Sequence, residues 1–327
     1  MKSIAFFNNK GGVGKTSLIY HLAWMFAERG IKVLAVDLDP QANLTSMFLE
    51  EERLEALWPD GDHQQTVYGV ISPILRGIGD IAQPFVEKLA PRLGLIPGDL
   101  GLSRFEDKLS EAWPKCHNRD ESAFRTMTAF HRLVLQGADW DTDIALIDVG
   151  PNLGAINRAA LIASDYVVLP LGADLFSLQE MKNLGPTMRD WRTIWKELLS
   201  KAPTDLPMPT GLMSPLGYVV SQHGIRESRP VKSYHRWVDR IPRIYREAVL
   251  NEQVDVPPRP ELDPYSLAML KHYRSLMSMA MDCNKPMFFL KAADGAIGSH
   301  TQAVRDCYSD FFILAKRIAS FTGLVLS

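Results

Sequence analysis

The chain has 327 residues, 46% hydrophobic and 23% charged, which excludes an intrinsically disordered chain and supplies enough apolar material for a large core. A formal net charge of -2 gives no global basic field, so any contact with nucleic acid must come from a local patch. Cys116, Cys283 and Cys307 stand far apart without metal-ligand spacing, which argues against a zinc site or a disulfide framework and for reduced thiols in a cytosol. No run reaches the ~18 apolar residues of a membrane span, and the N-terminus lacks a signal-peptide pattern.

The first elements read as strand, loop and helix. "SIAFF" (3–7) is too short for a helix before the glycines, whereas "TSLIYHLAWMFAERG" spaces Leu18, Leu22, Met25 and Phe26 helically and closes at Gly30. "KVLAVDLD" (32–39) is a buried strand running into Asp37 and Asp39, and the three elements make a right-handed βαβ unit with its acids facing the ligand crevice. From 48 to 140 the pattern weakens: "EEERLEALWPDGDHQQ" is polar, "TVYGVISPIL" reads as a short helix and "RLGLIPGD" as a strand and turn. Strands resume at 142–150, 165–171, 211–221 and 285–291, and helical patterns at 177–199, 231–249 and 299–321. The expected fold class is α/β, a mostly parallel doubly wound sheet flanked by helices, with 1–327 as a single domain. The proline-rich stretches near 200–210 and 253–264 read as loops within it.

"NNKGGVGKTS" carries a variant phosphate loop. Gly14, Lys15 and Thr16 match G-x-x-x-x-G-K-[ST], but Asn9 stands at the first glycine. Gly11, Gly12 and Gly14, with Val13 between them, let successive N–H groups point at a triphosphate ahead of a helix dipole; Lys15 reaches its β and γ phosphates and the Thr16 hydroxyl suits Mg2+. Such a loop needs only one lysine, so the second, Lys10, requires its own explanation.

Those residues, followed by "VDLDPQANLTS", resemble the deviant phosphate loop and first switch of the ParA/MinD family of P-loop ATPases. "TVYGVI", "LGLIPGDLGLSRFEDKL" and "ALIDVGPNLGAINRAALIASDYVVLPL" follow in the family's order. The resemblance implies a P-loop NTPase fold, ATP and Mg2+ as cofactors, and nucleotide contacts from Lys10 through Ser17. It also implies that Lys10 crosses to a partner subunit's nucleotide in an ATP-dependent homodimer, as an arginine finger would. Asp39 is then the candidate to orient the attacking water, Asp148 in "LIDVG" the second acid, and Thr16, Asp39 and Asp148 the magnesium set, with Asp37 behind them. Gly150 stands where the family commonly has a proline, which implies a looser second switch. Region 50–140 is expected to vary between subfamilies and to carry partner contacts.

Three outputs compete: a partition or positioning ATPase on nonspecific DNA with a ParB-like stimulating partner, a MinD-like membrane-cycling ATPase, and a scaffold binding only proteins. Arg226, Arg229, Lys232, Arg236, Arg240, Arg243 and Arg246, with Tyr234 and Trp237 among them, favour the first, because several fall at three- and four-residue spacing and could track phosphates. A solvated amphipathic helix is the plainer reading of the same residues. The C-terminal stripe Phe311, Leu314, Ala315, Ile318 and Phe321 looks core-facing rather than like a basic amphipathic anchor, so no stable membrane anchor is expected. Trp191 and Trp195, at i and i+4, read first as a packed face. Because the phosphate loop begins near Met1, no N-terminal operator-reading domain is expected. The expected location is the cytoplasm, on the nucleoid if DNA is bound.

Overall fold

The computed structural model describes residues 1–138, 141–221, 236–273 and 275–327. In chain order its strands are β1 (Lys2–Phe6), β2 (Val33–Leu38), β3 (Glu87–Ala90), β4 (Leu93–Ile96), β5 (Ile144–Val149), β6 (Tyr166–Gly172), β7 (Ser214–Ser221) and β8 (Ser266–Leu270). They form one sheet in the order β3-β4-β2-β5-β1-β6-β7-β8, parallel throughout except for β3, which runs antiparallel to β4 at one edge. β1, the first helix and β2 follow the βαβ reading, the two strands running parallel with β5 inserted between them.

Both faces of the sheet are covered, and strand alternation divides the side chains between them. Ala5, Leu34, Val36, Ala145 and Ile147 enter one core; Ile4, Phe6, Val33, Ala35, Ile144 and Leu146 enter the other. The second core belongs to α1 (Lys15–Glu28), α2 (Asn43–Phe48), α3 (Glu51–Leu57) and the last helix, Ser299–Thr322. The first belongs to α4 (Val67–Arg76), α5 (Phe105–Cys116), α6 (Glu121–Met127), α7 (Ala129–Gly137), α8 (Ala155–Ile162) and α9 (Leu175–Leu199). Thus much of the weakly patterned region 50–140 is a helical layer over that face.

Trp195 is fully buried and stacks on Trp113 of α5 with ring centres 6.1 Å apart, so the tryptophan pair of α9 is a packed face as read. Further along α9, Gly185 meets the backbone of Ala248 so closely that a Cβ would collide with it, and the Arg189 guanidinium donates to the same carbonyl.

Several expectations are corrected. The run at 285–291 forms no strand; its centre, Met287–Phe289, is a 3-10 turn, and the eighth strand is "SLAML" at 266–270. A short apolar run has no periodicity to separate strand from turn, and here packing on α1 decides. The helix expected over 231–249 lies outside the described residues as far as 235; beyond, Pro242 sits in the short helix Ile241–Ile244, which passes into a π-helical turn, Tyr245–Leu250. β3 carried no sequence signal because its side chains are half-buried or exposed. In the last helix Phe311, Leu314, Ala315 and Ile318 are buried as read, but Phe321 is exposed.

His21 joins α1 to the C-terminal third. Its Nδ1 donates to the Ser17 carbonyl at 2.7 Å, its Nε2 accepts from the Met287 N–H at 3.1 Å, and its ring stacks on Phe311. Complete burial lowers its pKa from 6.5 to about 4. The unfolded chain therefore binds a proton that the folded chain refuses between these values, so this contribution is full above pH 6.5 and lost as pH falls toward 4. In urea titrations at pH 7, 6, 5 and 4.5, stability is expected to fall more steeply for the wild type than for His21→Asn, with parallel behaviour above pH 6.5.

Candidate functional site

The turn between β1 and α1 is built for an anion. Gly12 and Gly14 have φ of +75° and +82°, which a side chain would strain, and a Cβ on Gly11 or Gly12 would meet nothing within 4 Å, leaving open space over the loop. α1 begins at Lys15 with no side-chain cap and no acid in its first turn, so its leading N–H groups face that space unopposed. Beneath them Asn8 fixes the loop: its Nδ2 donates to the Pro170 carbonyl at 2.6 Å and its Oδ1 accepts from the Lys10 N–H at 2.9 Å. Lys15 Nζ donates to the carbonyls of Asn8 and Lys10 at 3.0 and 3.3 Å. Burial lowers the Lys15 pKa, against the attraction of Asp148 and Asp39.

Three carboxylates stand beside the loop. The parallel register of β2 and β5 pairs Asp37 with Asp148, both fully buried on the α1 side of the sheet. Asp37 accepts from the Thr45 N–H and hydroxyl at 2.8 and 2.7 Å; burial nevertheless raises its pKa to about 7. Neither oxygen of Asp148 makes a hydrogen bond of good geometry, and the Thr16 hydroxyl offers it only a weak one. Burial, with the Asp37 charge beside it, holds the Asp148 pKa well above the carboxylate range, and the Thr16 hydroxyl and Lys15 only partly oppose this. Such a carboxylate is what a divalent cation would satisfy, with Thr16 across from it and oxygen donors of the kind magnesium takes. Asp39 lies at the cavity wall, its Oδ1 accepting from the Gln41 N–H at 3.0 Å. A Cβ on Gly150 would come within 3.2 Å of that same oxygen, so the glycine that departs from the family pattern permits close approach of the second switch to Asp39.

Gly11, Gly12, Gly14, Lys15, Thr16, Ser17 and Asp39 line one cavity of about 460 Å³, which Pro151 of the second switch borders. A second cavity of about 390 Å³ opens from Val13, Gly14 and Ser17 onto Ser221, Leu270, Lys271, Tyr273, Met287 and Phe311. Its apolar walls come from the end of β8, the 3-10 turn and the last helix. Sequence reasoning missed these residues; had "SLAML" been recognised as a strand, the rule that ligands sit at strand C-termini would have pointed to Lys271–Tyr273.

Lys10 stands apart from Lys15. Its Nζ is 2.6 Å from Asp174 Oδ2 and 5.6 Å from the Phe176 ring, so the half-buried ammonium is held in an ion pair rather than free in solvent. Asp174 is also the N-cap of α9, accepting from the Ser177 N–H; burial raises its pKa, but the bonds from Lys10 and Ser177 prevail and hold it below the ordinary value. Leu175 and Phe176 are exposed, an apolar surface beside Lys10.

Of the basic residues, Arg226, Arg229 and Lys232 lie outside the described residues. Arg236 and Arg240 are exposed and stack over the Trp237 ring at 5.1 and 5.5 Å. Arg243 is exposed but bonded to the Asp255 carbonyl and paired with Glu247. Arg246 does not belong to the patch: it is buried against Asp263 at 2.7 Å. Among the described residues no helix is long and apolar enough to cross a membrane.

A family model described as an AAA domain matches residues 1–200. The sporulation initiation inhibitor protein Soj of Bacillus subtilis is 31% identical over 237 residues, covering 72% of this chain and 80% of Soj. The chain belongs to the ParA/Soj family of P-loop ATPases. Protein IncC of Escherichia coli is 34% identical over 192 residues, 59% of this chain but 47% of IncC, so the chain spans about half of that relative's length. In fold, a putative plasmid partition protein from Borrelia burgdorferi, solved with AMPPNP, matches 98% of both chains at 18% identity and a TM-score of 0.58.

The buried Asp148 gives a test in this ParA/Soj-family chain. Asp148→Asn replaces a carboxyl whose ionised form burial penalises and is expected to stabilise the nucleotide-free fold by about 1–2 kcal/mol. Denaturant midpoints without nucleotide or Mg2+ measure this, and a destabilised variant would show that the carboxylate is satisfied.

Proposed function

We propose that the chain is a Mg2+-dependent ATPase whose ATP-bound form is a homodimer, acting as a nucleotide switch in plasmid or chromosome partition or cargo positioning. It functions as one domain in the cytoplasm, over the nucleoid, binding nonspecific duplex DNA and answering to a ParB-like partner. The observation that carries this is the junction of the open, uncapped phosphate cradle with a buried carboxylate that makes no well-formed hydrogen bond. The cradle amides and Lys15 hold the phosphates, and Thr16, Asp39 and Asp148 hold the cation. Bound Mg2+ would neutralise charge developing on the transferred phosphoryl group. Asp39 orients the attacking water, and the cavity at Leu270, Tyr273 and Phe311 takes the base. Lys10 serves a second subunit: once Asp174 releases it, it reaches the partner's γ phosphate across the exposed Leu175 and Phe176. Loss of that phosphate on hydrolysis removes the anchor and loosens the dimer.

The variants separate these roles. Lys15→Ala is expected to lose nucleotide binding, seen by titration calorimetry. Lys10→Ala is expected to bind ATP yet remain monomeric in sizing experiments and fail to hydrolyse it; normal dimers with normal turnover would sink the cross-subunit role.

For DNA, binding to random-sequence duplex is expected with ATP-Mg2+ and not with ADP. The salt slope should shrink by about one to two contacts when Arg236 and Arg240 are replaced together. Absence of binding in every nucleotide state would reject the DNA reading in favour of a membrane-cycling or protein-only output.

A further inference from the structure

Glu106, the second residue of α5, reaches across to the second switch. Its Oε1 accepts from the Ala155 N–H at 2.5 Å and its Oε2 from the Ile156 N–H at 2.9 Å. These are the first two amides of α8, whose N-cap, Gly154, has no side chain to satisfy them. The approach is tight: a Cβ on Gly154 would lie 2.7 and 3.0 Å from the two Glu106 oxygens, although the backbone there has an ordinary φ of -76°. Glycine is present for clearance rather than for conformation. The Glu106 charge also attracts Arg158 one turn on, and the Arg158 guanidinium lies 4.4 Å from the centre of the Trp113 ring on α5. Within the switch, Asn157 Nδ2 donates to the carbonyls of Gly150 and Asn152 at 2.7 and 2.6 Å. Residues 150–158 are thereby fastened to one another and, through one carboxylate, to α5. At the other end of this segment Gly150 abuts Asp39.

We propose that Glu106 is a positioning residue for hydrolysis: it holds the second switch where Gly150 backs Asp39. The role rests on the reading of Asp39 as the residue that orients water. Glu106 does not line the cavity at the phosphate loop, so loss of the clamp lets residues 150–157 shift and misplaces Asp39 while the cradle of Gly11–Thr16 stays intact. Rate and affinity therefore separate, which a purely structural cap would not produce.

The experiment compares wild type, Glu106→Gln, Glu106→Ala, Gly154→Ala and the Glu106→Ala/Gly154→Ala double variant. It measures ATP affinity, single-turnover ATP hydrolysis, and amide hydrogen exchange over 150–158. Expected are ATP affinities within about twofold of wild type, hydrolysis slowed roughly tenfold in Glu106→Ala and in Gly154→Ala, and a double variant no slower than either single. Glu106→Gln, which keeps one good acceptor, should fall between, and exchange at Ala155 and Ile156 should quicken in step with the loss of rate. Wild-type hydrolysis in a folded Glu106→Ala protein, or a rate loss matched by an equal loss of ATP affinity, would overturn the proposal. A wild-type protein that fails to hydrolyse ATP would overturn the underlying reading of Asp39 instead, and is recognised before any variant is compared.

Discussion

The parallel pairing of β2 with β5 is the constraint on which the rest depends. It places Asp37 and Asp148 in register at the ends of two central strands, inside a sheet covered on both faces. Water is excluded there, so each carboxylate needs donors. Thr45 supplies them to Asp37, whereas Asp148 has only the weak donor Thr16. A fold selected for stability alone would place an apolar residue at 148. The retained acid makes sense beside an open glycine loop and an uncapped helix, where a cation and its anionic ligand would complete a balanced set of charges.

The molecule divides labour between its two faces. The α1 side carries the anion cradle and the buried acids. The opposite layer, α4 to α9, is held largely by apolar packing, Trp113 against Trp195 among it, and contributes carboxylates at two helix starts, Glu106 at α8 and Asp174 at α9. Two of these contacts meet helix N-termini next to the nucleotide cavity, where carboxylates are favoured by unpaired N–H groups. The region with the weakest sequence signal thus contacts the segment bearing Gly150, which lies against Asp39.

The first βαβ unit was legible because strand, glycines, helix and acids follow in an order that leaves few alternatives, and the strands at 142–150, 165–171 and 211–221 were legible as continuous apolar runs. The failures have physical causes. "MFF" and "SLAML" are both short and largely apolar, and only three-dimensional packing on His21 and β7 tells turn from strand. Arg246 looked like its neighbours in sequence, but its partner Asp263 lies 17 residues away. Lys10 was recognised as a second lysine, yet its resting partner, Asp174, is 164 residues distant, and no local pattern announces such a pair. The phosphate loop was therefore readable, while the wall of the second cavity, assembled from β8, a turn and the last helix, was not.

The contact at Gly185 has a mechanical consequence. α9 touches the π-helical turn at Ala248 backbone to backbone, with no side chain between them, and Arg189 closes the gap by bonding to the same carbonyl. Interfaces cushioned by side chains can slide by changing rotamers; this one has no such slack. The long helix that starts at Asp174 and the segment that follows Arg240 and Arg243 are accordingly geared together, so a tilt of either would have to be shared by both.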